Sequence, residues 1–315
     1  MSLVETAFSP IPADGVTGNI LADDGVGLRY AVWRGSGERR GTVCILQGRA
    51  ECIEKYFEVV SELRGRGFAV AAVDWRGQGG SERLLRSARK GHVERFADYQ
   101  RDLIALLEQI VVPDCPPPYF VLAHSMGGLV ALHAARRQVQ HIARMVLLSP
   151  MLRLMGIMPR SLLAAAAAGA LRRIGFGDLR LPGREAMAVD RRLFLGNRNT
   201  SDPVRYERFA DLLRQAPHLA VGAATLGWFA TARRAMADVQ RDGFGAAIAI
   251  PTLLLTAGAD EVVDNAVADR LAKALRAGAS LEIPGARHEI LFERDSIRSL
   301  FWAAFDAFIP GSAPP

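Results

Sequence analysis

Cysteine is scarce: Cys44, Cys52 and Cys115 are the chain's three, they cannot all pair, and none forms a CxxC. That excludes a disulfide framework and a zinc knuckle and points to a reducing, cytoplasmic setting. Long apolar runs are missing as well. The most apolar stretch, Ser161 to Leu171 (SLLAAAAAGAL), is followed at once by Arg172 and Arg173, and it is too short to span a bilayer, which takes about 20 residues. The first residues, MSLVETAFSPIPADG, have neither a basic lead nor an apolar stretch, so no cleaved leader is expected. There is no internal repeat and no helix-turn-helix, zinc or RNA-binding signature. The basic residues are scattered rather than blocked, and nucleic acid is not expected as a partner.

What the chain does have is apolar mass. Half of its 315 residues are hydrophobic, enough for one large domain with an insertion. The net charge is +6 with a pI near 9.6, which suits anionic substrates and peripheral contact with an anionic membrane surface. Short apolar runs alternate with helix-like stretches over the first half, the pattern of an α/β protein with a mostly parallel sheet and helices on both faces. Strands are predicted at Leu28 to Trp33, Thr42 to Leu46, Ala69 to Val73, Tyr119 to Ala123 and Met145 to Leu148, with helices at Ile53 to Arg64, Phe96 to Val111 and Met126 to Gln138. From about Pro150 to Ala235 the text turns helical, rich in Arg, Ala, Leu and Met, with no good strand. Alternation then resumes with strands at Thr252 to Leu255 and Leu281 to Ile283 and helices at Asn265 to Arg276 and Asp295 to Phe308. The organisation expected is a core in two parts, 1–149 and 236–315, with a helical cap, 150–235, inserted after the sixth strand and seated above the strand ends.

Ser125 is the most informative single residue. It stands in YFVLAHSMGGLVALHAAR, where an apolar run ends and a helix-prone run begins at once. A serine at the apex of a strand–turn–helix needs small residues two before and two after it, because the two backbones come too close there for a bulky side chain. Ala123 and Gly127 supply them. The hydroxyl then projects from the C-terminal sheet edge, and the Met126 N–H lies at a helix N-terminus, where developing negative charge is favoured. This is the pattern of a serine nucleophile.

A serine hydroxyl needs a base within hydrogen-bond reach, itself oriented by a carboxylate, and at such a turn the chain order is Ser, acid, His. The histidines downstream are His133, His141, His218 and His288. His133 lies down the nucleophile's own helix, His141 in a loop before a strand, and His218 in the cap. His288, between the last strand and the last helix, is the expected base. For the acid, TLLLTAGADEVVD offers Asp260, Glu261 and Asp264. Asp260 is favoured because it follows a turn of small residues, whereas Asp264 reads as the N-cap of the next helix. His124 is expected to pack and hydrogen-bond beneath the turn rather than act as a base. The second oxyanion donor is expected from the loop after Thr42 to Leu46, where Gly48 lets the backbone approach and the Arg49 N–H pairs with that of Met126. Gly48, Met151 and Met155 are the expected substrate contacts. Leu152, Leu154, Ile157 and Met158 extend an apolar lining, and Arg153, Arg160, Arg172 and Arg173 are placed to face anionic headgroups or water.

Taken together, LQGRAECIEKYFEVVSELRGRGFAVAAVDWRGQGGSER, GHVERFADYQRDL, LAHSMGGLVAL, LLSPML, LLLTAGADEVVD and GARHEILFE resemble, in order and spacing, the α/β-hydrolase superfamily, in the branch of lysophospholipase L2 and the monoacylglycerol lipases. The resemblance covers nearly the whole chain. It implies Ser125 as nucleophile, Asp260 as acid, His288 as base and the N–H groups of Arg49 and Met126 as oxyanion hole. It further implies hydrolysis of the acyl ester of a single-chain glycerolipid, a lysophospholipid first, with no metal and no cofactor. A monoacylglycerol lipase, a broad carboxylesterase and a non-catalytic lipid-binding member of the fold are the alternatives. Two positions depart from the monoacylglycerol lipases, Gln47 in place of a histidine and Arg49 in place of a small residue, and Ala123 replaces the usual glycine before the serine.

Overall fold

The structure, a computed structural model, describes residues 2–35, 40–137, 141–156, 177–179 and 193–311. One sheet of eight strands organises them, in the order β1-β2-β4-β3-β5-β6-β7-β8. The strands are β1 (Gly15–Leu21), β2 (Gly27–Trp33), β3 (Thr42–Leu46), β4 (Ala69–Val73), β5 (Tyr119–His124), β6 (Ile142–Leu148), β7 (Thr252–Ala257) and β8 (Gly278–Ile283). β2 pairs antiparallel with β1 and β4, and every pairing from β4 to β8 is parallel. A parallel sheet has both faces covered, so its strands read as unbroken apolar runs. Successive residues then serve opposite faces. Val43 and Ile45 of β3, Phe120 and Leu122 of β5, and Leu253 and Leu255 of β7 enter one core. Their neighbours Cys44 and Leu46, Val121 and Ala123, and Leu254 enter the other.

Helices close both faces. α1 (Phe57–Gly65) inserts Val59, Val60 and Leu63 into the first core, joined by Phe301, Trp302 and Phe305 from the terminal helix. α2 (Asp98–Leu106) and α3 (Met126–Arg136) cover the second. Between β6 and β7 come α4 (Pro203–Gln215) and α5 (Leu226–Val239), and no strand among the described residues. The buried face of α5, Trp228, Ala232, Ala235, Met236 and Val239, belongs to the same apolar cluster as α3. α6 (Asn265–Ala274) and α7 (Asp295–Phe308) complete the chain. Ile157, Met158, Arg160, Ser161 to Leu171, Arg172 and Arg173 lie outside the described residues.

β8 begins three residues before the expected Leu281, the helix expected over Phe96 to Val111 ends as a π turn at Leu107–Val111, and two further elements differ from the sequence expectation. β1, GVTGNIL, is an added antiparallel edge strand with one buried residue, Ile20. Its two glycines and mixed exposure give no alternating signal. The helix expected at Ile53 begins as a 3-10 turn, Ile53–Tyr56, before α1 takes over.

The antiparallel end of the sheet is pinned by charge. Arg29, fully buried, donates through Nη1 and Nη2 to the Glu54 carboxylate at 2.7 Å each and through Nε to Asp74 Oδ2 at 2.8 Å. Asp74 also takes the backbone N–H groups of Ile53 (3.0 Å) and Gly80 (2.7 Å), which fixes the loop after β4 against the start of the 3-10 turn. Removing one partner from such a set leaves uncompensated buried charge. Arg29→Met is therefore expected to destabilise the fold by about 3–5 kcal/mol, read as a lower urea midpoint, and an unchanged midpoint would show that the two carboxylates do not depend on this guanidinium.

Candidate active site

Ser125 sits between β5 and α3 with φ 49° and ψ −109°, backbone values that the tight turn imposes. Its neighbours leave no spare volume. A β-carbon on Gly127 would lie 2.1 Å from the Leu46 carbonyl oxygen and 2.8 Å from that of Gln47. The small residue after the serine is thus required by the end of β3 and the loop that follows it, which run directly against the turn.

Three side chains meet above this edge. The Ser125 hydroxyl lies 3.0 Å from His288 Nε2, and His288 Nδ1 lies 2.9 Å from Asp260 Oδ2. Asp260 Oδ1 accepts the N–H groups of Val262 (2.7 Å) and Val263 (3.0 Å), so both oxygens are engaged and the carboxylate cannot rotate freely. Burial alone would raise the Asp260 carboxyl, yet the His288 hydrogen bond and these backbone donors hold it below the usual carboxylate value. Asp264 is placed elsewhere in the hydrogen bonding: it caps α6 by accepting the Ala266 N–H and pairs with Arg153 at 2.9 Å. His133 bonds the Ala235 carbonyl, His141 lies edge-on to Tyr119, and His218 is exposed.

The loop after β3 is folded back by one carboxylate. Gly48 N–H donates to Glu51 Oε2 at 2.5 Å, and a β-carbon on Gly48 would lie 2.7 Å from His124 Nδ1. Ala50, at φ 64°, turns the chain and donates its N–H to Gln78 Oε1 at 2.6 Å. Arg49 stands between these two residues. Its guanidinium donates to the Gly222 carbonyl at 2.7 Å and stacks over Trp228 with Cζ 5.0 Å from the ring centroid. Met126 begins α3, where the leading N–H groups have no acceptor within the helix. Met151 is buried and donates its N–H to the Ser125 carbonyl at 3.0 Å. Met155 is strapped by its N–H to the Val262 carbonyl at 2.8 Å and leaves its side chain 46% exposed.

Residues between β6 and β7 bond to the loops at the C-terminal strand ends. Gly222 N–H meets the Arg89 carbonyl, Glu289 N–H meets the Asn199 carbonyl, and the Arg287 guanidinium meets the Asn197 carbonyl. Sequence reading assigned no role to Glu51, Lys55, Tyr56 or Glu289. Lys55 joins Glu51 (2.7 Å) to Glu289 (2.9 Å), and the Tyr56 hydroxyl donates to Glu51 Oε2 at 2.7 Å. The i, i+4 spacing of Glu51 and Lys55 was a readable sign of pairing, but nothing local signals burial of the pair. Chemically, a hydroxyl hydrogen-bonded to an imidazole that a fixed carboxylate orients can surrender its proton while its oxygen attacks an electrophilic carbon.

Comparison with known proteins gives a consistent set. A family model described as serine aminopeptidase, S33, matches residues 37–295. Lysophospholipase L2 of Escherichia coli (strain K12) is 35% identical over 293 residues, covering 88% of this chain and 82% of that protein. A monoglyceride lipase of Mus musculus is 27% identical over 247 residues, covering 78% and 74%. Among solved structures, a soluble variant of monoglyceride lipase from Saccharomyces cerevisiae in complex with a substrate analog superposes with a TM-score of 0.73 at 19% identity, covering 94% of this chain and 95% of that one. A monoacylglycerol lipase from Paleococcus ferrophilus does so with a TM-score of 0.69 at 23% identity, covering 90% and 99%. These two likenesses show the fold.

The steric closeness at the turn is testable without any substrate. Gly127→Ala is expected to destabilise the protein by about 1–3 kcal/mol through overpacking. Gly65→Ala, at the end of α1 with open space around the added methyl, should instead be neutral or stabilise by up to about 1 kcal/mol. Equal denaturation midpoints for the two variants would contradict the contact with Leu46.

Proposed function

The chain belongs to the serine aminopeptidase S33 family of α/β-hydrolases, and we propose that within it the protein cleaves the acyl ester of a single-chain glycerolipid, a lysophospholipid first, through a covalent acyl-enzyme on Ser125. It is a carboxylic-ester hydrolase of the lysophospholipase and monoglyceride lipase kind. The observation that carries the mechanism is the continuous hydrogen-bonded line from the Ser125 hydroxyl through His288 to Asp260.

In this reading Ser125 Oγ attacks the acyl carbonyl as His288 Nε2 takes its proton, with Asp260 holding the imidazole by its Nδ1–H. The tetrahedral oxyanion is met by the N–H groups of Met126 and Arg49, and His288 returns the proton to the departing glycerol oxygen. Water activated by the same imidazole then releases the fatty acid. No metal or cofactor takes part. Residues 150–235 act as the cap, with Met151, Met155 and Gly48 along the acyl path. The choice of a lysophospholipid is supported by the 35% identity to the Escherichia coli lysophospholipase and by Arg49, a cation in the loop where monoacylglycerol lipases carry a small residue. Contact with an anionic membrane surface belongs to the same reading. The net charge is +6, and Leu193 and Leu195, 82% and 84% exposed, stand beside the segment that bonds to the His288 loop.

Fatty acid release from lysophosphatidylcholine, lysophosphatidylglycerol, monoacylglycerol, a short p-nitrophenyl ester and an aminoacyl anilide separates the readings. A kcat/KM for a lysophospholipid about tenfold or more above that for monoacylglycerol is expected, a transition-state preference of about 1.4 kcal/mol. The reverse order favours a monoacylglycerol lipase, and hydrolysis of the short ester alone favours a broad esterase. Ser125→Ala should lose about 10⁴-fold or more in turnover, and Asp260→Asn about 10⁴-fold. Failure of a fluorophosphonate to label Ser125 in folded protein would leave a binding function only.

A further inference from the structure

Among the described residues, the two ring nitrogens of His124 face only acceptors. Nδ1 lies 3.2 Å from Glu51 Oε1 and 3.4 Å from Oε2, and Nε2 lies 3.3 Å from the backbone carbonyl oxygen of His288. A neutral imidazole has one N–H, so either tautomer would turn a lone pair toward one of these oxygens. Only the imidazolium donates to both. The charge around it matches. Glu51 and Glu289 bring two negative charges, Lys55 brings one positive, and His124, Glu51 and Lys55 are all buried. With a neutral His124 the set would hold a net negative charge out of water, which is unfavourable. With the imidazolium it is balanced.

We propose that His124 is a fixed imidazolium and a positioning residue, clamping the loop of Gly48 and Arg49 to the loop of His288. Its Nδ1–H holds the Glu51 carboxylate that receives the Gly48 N–H, and its Nε2–H holds the carbonyl of the residue whose ring faces Ser125. The two imidazole rings stand 5.0 Å apart between centroids. The groups facing His124 are Glu51 from the turn after β3, Lys55 and Tyr56 from the 3-10 turn, and His288 and Glu289 from the loop after β8. Burial disfavours the charged ring, but the Glu51 charge and hydrogen bond outweigh it and raise its pKa. Burial disfavours the Glu51 carboxylate in the same way, and the charges of Lys55 and His124 hold it well below the ordinary value. The clamp is therefore complete below the imidazole value of the unfolded chain, about 6.5, and is lost as pH rises through the higher folded value. The charge state stands apart from the hydrolase reading, whereas its effect on turnover rests on that reading.

Imidazole-labelled protein followed by NMR across pH tests the charge state directly. The chain has six histidines, and one is expected to keep both ring N–H signals above the usual midpoint of about 6.5, where the other five have lost one. That signal should vanish in His124→Asn, and Glu51→Gln should lower its midpoint by about one pH unit or more. If none of the six in the wild-type protein is doubly protonated there, the proposal fails with no variant needed. For turnover, kcat on a lysophospholipid or a short ester should fall as this ring deprotonates with KM little changed, and Glu51→Gln should shift that fall to lower pH. A Glu51→Gln profile that only scales the wild-type curve down at every pH would overturn the positioning role. A protein that shows the imidazolium and cleaves nothing would retain the charge assignment and sink the hydrolase reading instead.

Discussion

At the start of α3 there is no room for a β-carbon. Gly127 lies so close to the Leu46 carbonyl that strand β3, the loop beyond it and the Ser125 turn form one packed unit. From that closeness follow the left-handed backbone of Ser125 and the projection of its hydroxyl above the sheet edge. The loop of Gly48 and Arg49 is brought beside the helix N-terminus for the same reason. A turn strained in this way persists only where its surroundings over-determine it. Here they do, since Ser125 N–H is held by the Leu148 carbonyl and the Ser125 carbonyl receives Met151 N–H.

The second organising constraint is buried charge. Two of the buried ionic sets hold the turn after β3: Arg29 with Glu54 and Asp74, and Glu51 with Lys55, Glu289 and His124. Such sets are poor sources of net stability, because desolvation offsets most of the attraction. What they supply is geometry. The first fixes the loop after β4 to the turn that follows β3, and the second ties that turn to the loop after β8. The two sets meet in ECIEKY, where Glu51, Glu54 and Lys55 alternate between them within five residues.

How much of this could be read from the chain follows the range of each interaction. The parallel strands were legible because burial on both faces turns them into unbroken apolar runs, and the bounds of β3, β4 and α7 agree with the expected spans. The strand–serine–helix junction was legible because small residues at fixed offsets are a local steric requirement. The fold also brings Ser125, His288 and Asp260 together from distant stretches. β1 was not legible, since an edge strand with one buried residue carries little pattern. Nor was the Glu51 set. A Glu and a Lys four apart read as a solvated pair on a helix, and only the tertiary meeting with Glu289 and His124 buries them. Met151 and Met155 looked equivalent in sequence, whereas one is buried beside Ser125 and the other stands nearly half exposed.

These constraints divide the molecule by what can vary. The Ser125 turn, the loop after β3 and the loops after β7 and β8 are joined through backbone hydrogen bonds and buried charge, so a change in one is transmitted to the others. Preorganisation of this sort suits groups that must be in place before charge develops, because dipoles already fixed need no reorganisation as the reaction proceeds. The residues between β6 and β7 touch that framework differently. They meet it through carbonyls at Asn197, Asn199 and Gly222, through the stacking of Trp228 on Arg49, and through side-chain bonds from Asn199 to Glu289 and from Arg153 to Asp264. Where the contact is a carbonyl, as at Asn197 and Gly222, it leaves side-chain identity free. On the mechanism proposed above, variation at such positions would let one set of reacting groups serve lysophospholipid, monoacylglycerol or simple ester. On this chain the residue that belongs to both halves is Arg49. Its backbone lies in the loop after β3 and its guanidinium against Gly222 and Trp228, and on the proposed mechanism that makes it the point at which substrate choice acts on the reacting centre.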